Sequence, residues 1–181
     1  MIGNLKYFIV MILTAVLVFP AGAMAATAVQ IDDNINVSLK SFSKIKGADD
    51  TLKRAEGVLI FPKVFKAGIG IGGEYGEGAL RIKGKTAGYY NTAAASIGFQ
   101  LGGQMKTIII AFMKKDALDQ FRSSSGWKVG ADASVAVIAV GAGGQIDSAS
   151  LNQPIIAFIL DQKGLMYNLT LEGAKISKIT K

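Results

Sequence analysis

The sequence contains no cysteine and no histidine. Without cysteine there can be no disulfide, thiolate nucleophile, zinc ribbon, iron–sulfur ligand or cysteine-linked lipid anchor. Without histidine, the commonest general base and the commonest transition-metal ligand are both missing. Most hydrolase and metalloenzyme chemistries are thereby excluded. No catalytic residue, metal ligand or cofactor is assigned, and binding is the leading class of function. An enzyme would have to work with Asp, Glu, Lys, Tyr and Ser alone.

What is present begins with a leader. Lys6 supplies a positive start, Tyr7 to Phe19 form an apolar stretch, Pro20 breaks it, and Ala23-Met24-Ala25 gives a small-x-small cleavage pattern. The stretch is short of the roughly 20 apolar residues that a spanning helix needs. Residues 1–25 therefore read as a secretory signal cleaved at Ala25/Ala26, with a single domain over residues 26–181 and a periplasmic location, peripheral to a membrane. The 156 mature residues carry 19 Lys+Arg against 13 Asp+Glu. This charge is divided evenly between the halves, so no basic tail marks a nucleic-acid binder.

Apolar periodicity predicts a helix from Ile31 to Lys46, with Ile31, Ile35, Leu39, Phe42 and Ile45 on one face. Asp32 and Asp33 are expected in its first turn and Gly47 just beyond its end. A short helix follows over Asp50–Ala55, and another over about Lys114–Ser123 buries Leu118 and Phe121. Val58–Phe61, Ile108–Phe112, Val135–Val140 and Ile155–Leu160 are continuous apolar runs, as in strands covered on both faces. Leu80-Arg81-Ile82-Lys83 alternates, leaving one face wet. Gly84-Lys85 and Asp161-Gln162-Lys163-Gly164 read as hairpin turns. The fold class is α+β: N-terminal helices packed on a largely antiparallel, curved, glycine-rich sheet with one inserted helix.

Twenty glycines remain in the mature chain, roughly double the usual share. Gly68, Gly70 and Gly72 alternate with isoleucines, and Gly76 and Gly78 continue the pattern after a break at Gly73. A bare strand face of this kind admits another backbone, a sharp curve or a flat ligand, and the first two are favoured. Gly68-x-Gly70-x-x-Gly73 matches a dinucleotide fingerprint as a string, but Glu74-Tyr75-Gly76-Glu77-Gly78 cannot open the helix that would hold a pyrophosphate. ALRIKGKT, residues 79–86, resembles a phosphate loop yet alternates as a strand. No nucleotide is expected. Ser41/Lys44, Ser43/Lys46 and Ser125/Lys128 have a Ser-x-x-Lys spacing without the partner motifs of penicillin-binding enzymes. Glu74 and Glu77 read as solvated loop carboxylates.

The basic residues form local stripes. Arg81, Lys83 and Lys85 alternate along one strand, Lys63 and Lys66 lie upstream, and Lys40, Lys44 and Lys46 close the first helix. Brought together, they would face anionic headgroups, with Phe42 or Phe65 dipping into the apolar layer. The plainer alternative is a solvated face with charges at helix ends.

Four blocks then carry a resemblance: GVLIFPKVFKAGIGIGGEYGEGAL at 57–80, GYYNTAAASIGFQLGGQ at 88–104, GWKVGADASVAV at 126–137 with GAGG at 141–144, and IIAFILDQKGLMYNLTLEG at 155–173. Together they closely resemble the SYLF domain family, over residues 46–173. The resemblance implies a lipid-binding module. Eukaryotic SYLF proteins bind phosphoinositide membranes through an amphipathic N-terminal helix and basic residues, and some regulate actin. Those roles carry over to the helix Ile31–Lys46 and to Lys63 and Lys66. The chain lacks SH3 and FYVE regions and its leader looks bacterial, so actin and phosphoinositides are not expected as partners. Asp32 and Asp33 also make the helix start less basic than in a strong membrane helix. The expectation is non-enzymatic binding of anionic phospholipid surfaces in the bacterial envelope by Lys40, Phe42, Lys44, Lys46, Lys63, Lys66, Arg81, Lys83 and Lys85. The alternative is a structural or protein-interaction module of the periplasm with no lipid ligand.

Overall fold

The computed structural model describes residues 25–140, 146, 152–164, 171 and 173–181. Residues 1–24, on which the expected leader falls, the GAGG block at 141–144 and residues 165–170 of the last block lie outside the described residues. Among the described residues there are three helices, α1 (Ala28–Phe42), α2 (Ala48–Arg54) and α3 (Lys115–Ser123). Six strands accompany them: β1 (Gly57–Ile82), β2 (Lys85–Phe112), β3 (Trp127–Lys128), β4 (Ala136–Ala139), β5 (Ile155–Gly164) and β6 (Lys175–Ile179). The α+β class with helices on a curved, largely antiparallel sheet is observed. One pairing, β4 with β5, is parallel.

Two strands dominate. β1 has 26 residues and β2 has 28, paired antiparallel along their whole length. Laid straight, β1 would reach roughly 85 Å, whereas a domain of this size has a radius of gyration of about 15 Å. The hairpin therefore has to fold over. Its register is interrupted between Ile69/Ile71 on β1, opposite Leu101 and Ile97 on β2. On the far side of β2, residues 89–93 pair with β6 and residues 104–112 pair with β5. The sheet is thus two stacked layers joined through the two long strands.

Glycine makes the stacking close. A Cβ at Gly78 would lie 2.0 Å from the Ile60 carbonyl oxygen, and one at Gly76 would lie 2.7 Å from the Val64 side chain and 2.8 Å from the Lys63 carbonyl. The bare face at Gly76 and Gly78 is filled by the start of the same strand. Pro62 sits at a second irregularity, between Phe61 and Val64, where a residue without an N–H is tolerated. Thr107 Oγ1 donates to its carbonyl at 3.0 Å.

Two cores result. Between the layers lie Leu59, Phe61, Leu80, Ile108, Ile110, Phe112, Ile155, Ala157, Ile159 and Ile176. α3 closes this space with Phe121, whose ring lies 4.9 Å from Phe112, 5.0 Å from Tyr90 and edge-on to Trp127 at 5.5 Å. On the outer face of the second layer, Ile31, Ile35 and Phe42 of α1 pack on Val58, Ile60, Ile109, Ala111, Ile156 and Phe158. Both faces of the 58–61, 108–112 and 155–160 runs are covered, as their unbroken apolar sequence requires.

Several expectations need correction. α1 begins three residues early because Thr27 and Gln30 form a capping box, so Asp32 and Asp33 fall in its second turn. It also ends at Phe42, and Gly47, at φ 90°, opens α2 rather than closing α1. β4 is an edge strand with Val137 exposed, not a doubly covered one. No hairpin occurs at 161–164, because β5 runs on to Gly164 beside Gln104. The first hairpin turn is centred on Lys83 and Gly84, both at positive φ, 49° and 77°, which is the two-residue geometry that matches strand twist.

Glu74 is also no loop carboxylate. It is buried, as are Lys66, Gln104 and Lys106, and its Oε2 lies 2.9 Å from the Lys106 ammonium. Among the described residues that ammonium makes no hydrogen bond of good direction, so its contact with Glu74 is chiefly coulombic.

This packing sets two expectations for chemical denaturation. Gly78→Ala forces a side chain against a backbone carbonyl and is expected to cost at least about 3 kcal/mol, while Gly73→Ala, with nothing within 4 Å, stays within about 1 kcal/mol of wild type. Glu74→Gln strands the buried Lys106 charge and is expected to cost about 3–5 kcal/mol, with much of the loss recovered when Lys106→Met is added.

Candidate functional site

Because β1 doubles back, its two ends meet. Gly57 and Val58 at its start, Arg81 at its end and Lys83-Gly84 in the turn line one cleft with Leu39 of α1, Leu52, Lys53 and Arg54 of α2, and the link Ala55-Glu56. The cleft holds about 430 Å³. Among the described residues its walls carry four cations, Lys53, Arg54, Arg81 and Lys83, against one carboxylate, Glu56.

Each cation is placed by local structure. Lys53 and Arg54 form the last turn of α2, where positive charge complements the helix C-terminus. The chain then turns extended at Ala55, and Glu56 N–H donates to the Phe112 carbonyl at 2.8 Å, tying the link to β2. Lys83 is exposed at a left-handed position that a residue other than glycine, Asn or Asp rarely adopts.

Arg81 is held most firmly. Its Nη2 donates to Asp32 Oδ1 at 3.2 Å and to Asn36 Oδ1 at 3.4 Å, and Nη1 donates to the Gly84 carbonyl at 3.3 Å. Its Nε is buried without a partner among the described residues. Asp32 is the hub of this corner, also accepting from Thr86 Oγ1 and from the Tyr89 hydroxyl, each at 3.0 Å. Burial, and then the hydrogen bond to Asp32, pushes the Tyr89 phenol above its ordinary pKa, so it remains a donor. Asp32 therefore acts as a tertiary clamp between α1 and the hairpin, and does not serve the helix dipole.

The structure sorts the residues expected at a lipid surface. Arg81 and Lys83 stand in the cleft, and Lys85 is exposed next to the turn. Lys40, Lys44 and Lys46 are exposed on and after α1 but do not line the cleft, and Lys63 is exposed further along β1. Two residues are removed from the set. Phe42 is fully buried, with its ring 5.0 Å from that of Phe158, so it cannot dip into a bilayer without leaving the core. Lys66 is buried opposite Gln104 and is not free to meet a headgroup. With Ile35 and Phe42 in the core and Leu39 packed on it, α1 is a structural helix. Lys53 and Arg54 were not singled out from the sequence. Their signal was a basic pair closing a short helix just before Gly57.

Residues 93–181 match the family model Ysc84, described as Las17-binding protein actin regulator. No curated protein matches the chain. The matched stretch begins within β2 and contains β3 to β6, and the cleft residues precede it. The match agrees with the resemblance carried by the four sequence blocks already described: residues 93–181 carry a Ysc84 (SYLF) domain.

Proposed function

We propose that this chain is an exported, non-enzymatic protein that binds anionic phospholipid surfaces, seating a headgroup phosphate in the cleft between α2 and the β1–β2 turn. The family is linked in general to lipid- and actin-binding roles. The observation that carries the proposal for this chain is the convergence of Lys53, Arg54 and Lys83, with the Asp32-paired Arg81, on one cleft whose described walls carry one carboxylate, Glu56.

The chemistry fits a bound anion better than a reacting one. Guanidinium and ammonium groups donate charge-assisted hydrogen bonds to phosphate oxygens, and Arg81 is already oriented by Asp32, which lowers the ordering cost of binding. The cleft walls offer no histidine or cysteine and no pair of carboxylates. Among the described residues no helix is long and apolar enough to cross a membrane, so attachment through this surface would be peripheral. Each Lys or Arg near an anionic surface contributes on the order of 1 kcal/mol, and added salt should weaken binding.

Vesicle flotation tests this. Wild type should float with phosphatidylglycerol-containing vesicles and not with phosphatidylcholine alone, and Lys53→Gln, Arg54→Gln and Lys83→Gln together should weaken binding about 100-fold. Equal flotation with neutral vesicles, or no effect of the triple change, would leave the protein-interaction module as the better reading. Lys83→Asn separates stability from binding. It relieves the left-handed backbone and should raise the melting temperature while lowering vesicle affinity.

A further inference from the structure

We propose that Glu77 is the seat of the α-ammonium group created at Ala26 when the leader is removed. This goes beyond lipid binding and rests only on the export part of the preceding proposal.

Two independent observations fall on the same bond. The small-x-small pattern Ala23-Met24-Ala25 ends at the Ala25–Ala26 peptide. In the structure, the nitrogen of Ala26 donates to Glu77 Oε2 at 3.0 Å, across 51 positions of sequence. That nitrogen is held in place because Thr27, the next residue, is the capping-box N-cap of α1.

Glu77 is built as a receptor for cations. Lys181 Nζ lies 2.9 Å from the same Oε2, and the Tyr75 hydroxyl donates to Oε1 at 3.0 Å. The side chains of Glu77 and Lys181 are each only 10% exposed. A strand carboxylate held this way has its oxygens aimed at the start of α1 and at the residues beyond β6.

Cleavage changes the donor. A leader peptidase adds the hydroxyl of water to the Ala25 carbonyl carbon as the C–N bond breaks, and the Ala26 nitrogen takes the remaining hydrogen and then a solvent proton. A neutral amide with one N–H becomes an ammonium with three, and a charge-assisted bond to carboxylate is roughly twice as strong as a neutral one. Processing thus converts a hydrogen bond into an ion pair that pins the first residue of the mature chain to β1.

The experiment uses the protein exported from its full gene. Mass mapping should give Ala26 as the first residue, and a retained leader or any other first residue would overturn the proposal. Pulse labelling with an amine-reactive ester should then modify the Ala26 α-amine about ten-fold more slowly in the native protein than in denaturant. Glu77→Gln should abolish that protection, whereas Lys181→Gln should keep it. Equal labelling of native and denatured wild type would overturn the proposal even if Glu77→Gln fails to fold. A protein that fails vesicle flotation yet shows a protected Ala26 amine would refute the lipid function and leave this docking intact.

Discussion

A side chain at position 78 would put its Cβ 2.0 Å from the Ile60 carbonyl oxygen, a distance no rotamer change can relieve because the obstacle is backbone. β1 can therefore lie across its own beginning only where the side chain is missing. The rest of the architecture follows from that approach. It stacks the two layers, encloses the core around Phe61, Leu80 and Phe112, and creates the gap that α3 fills with Phe121. It also returns Arg81 and Lys83 to Gly57, the point at which α2 delivers Lys53 and Arg54. The cleft is a consequence of the fold-back and would not exist on a flat hairpin.

Charge in this protein divides into buried or half-buried groups, paired with a partner, that hold the fold and exposed groups free to meet a ligand. Glu74 with Lys106, and Glu77 with Lys181 and the Ala26 nitrogen, belong to the first kind. So does Asp32, which draws Arg81, Thr86 and Tyr89 onto α1. Arg81 belongs to both, since its guanidinium is fixed by Asp32 while its side chain lines the cleft. A net positive charge alone would not distinguish these roles. Pairing and burial together distinguish them, because a buried pair that loses one member leaves an uncompensated charge, whereas an exposed lysine loses little but its long-range field.

Much of the fold was legible because its signals are local. The spacing of Ile31, Ile35 and Phe42 located α1 and its buried face, and the unbroken apolar runs at 58–61, 108–112 and 155–160 marked strands covered on both sides. The glycine alternation pointed to close backbone approach, which Gly76 and Gly78 provide. The Thr27/Gln30 capping box was also written in the sequence, and it accounts for the earlier helix start. What could not be read was long-range: no local rule pairs Glu74 with Lys106. The site divides the same way. Arg81 and Lys83 stood out as an alternating basic strand, but their meeting with Lys53 and Arg54 depends on β1 folding back, and Phe42 looked available for a membrane only while the outer face of the sheet was unknown.

The central claim is that the cationic cleft, rather than the exposed lysines at large, receives the anion. The most direct measurement is a map of backbone amide shifts in nitrogen-15-labelled protein titrated with inorganic phosphate and then with short-chain phosphatidylglycerol micelles. The account predicts shifts concentrated at Lys53 to Gly57 and Arg81 to Lys85, with Lys44 and Lys63 unmoved. Shifts spread evenly over the exposed lysines, or centred on the outward face of α1 at Val29 and Val37, would contradict it.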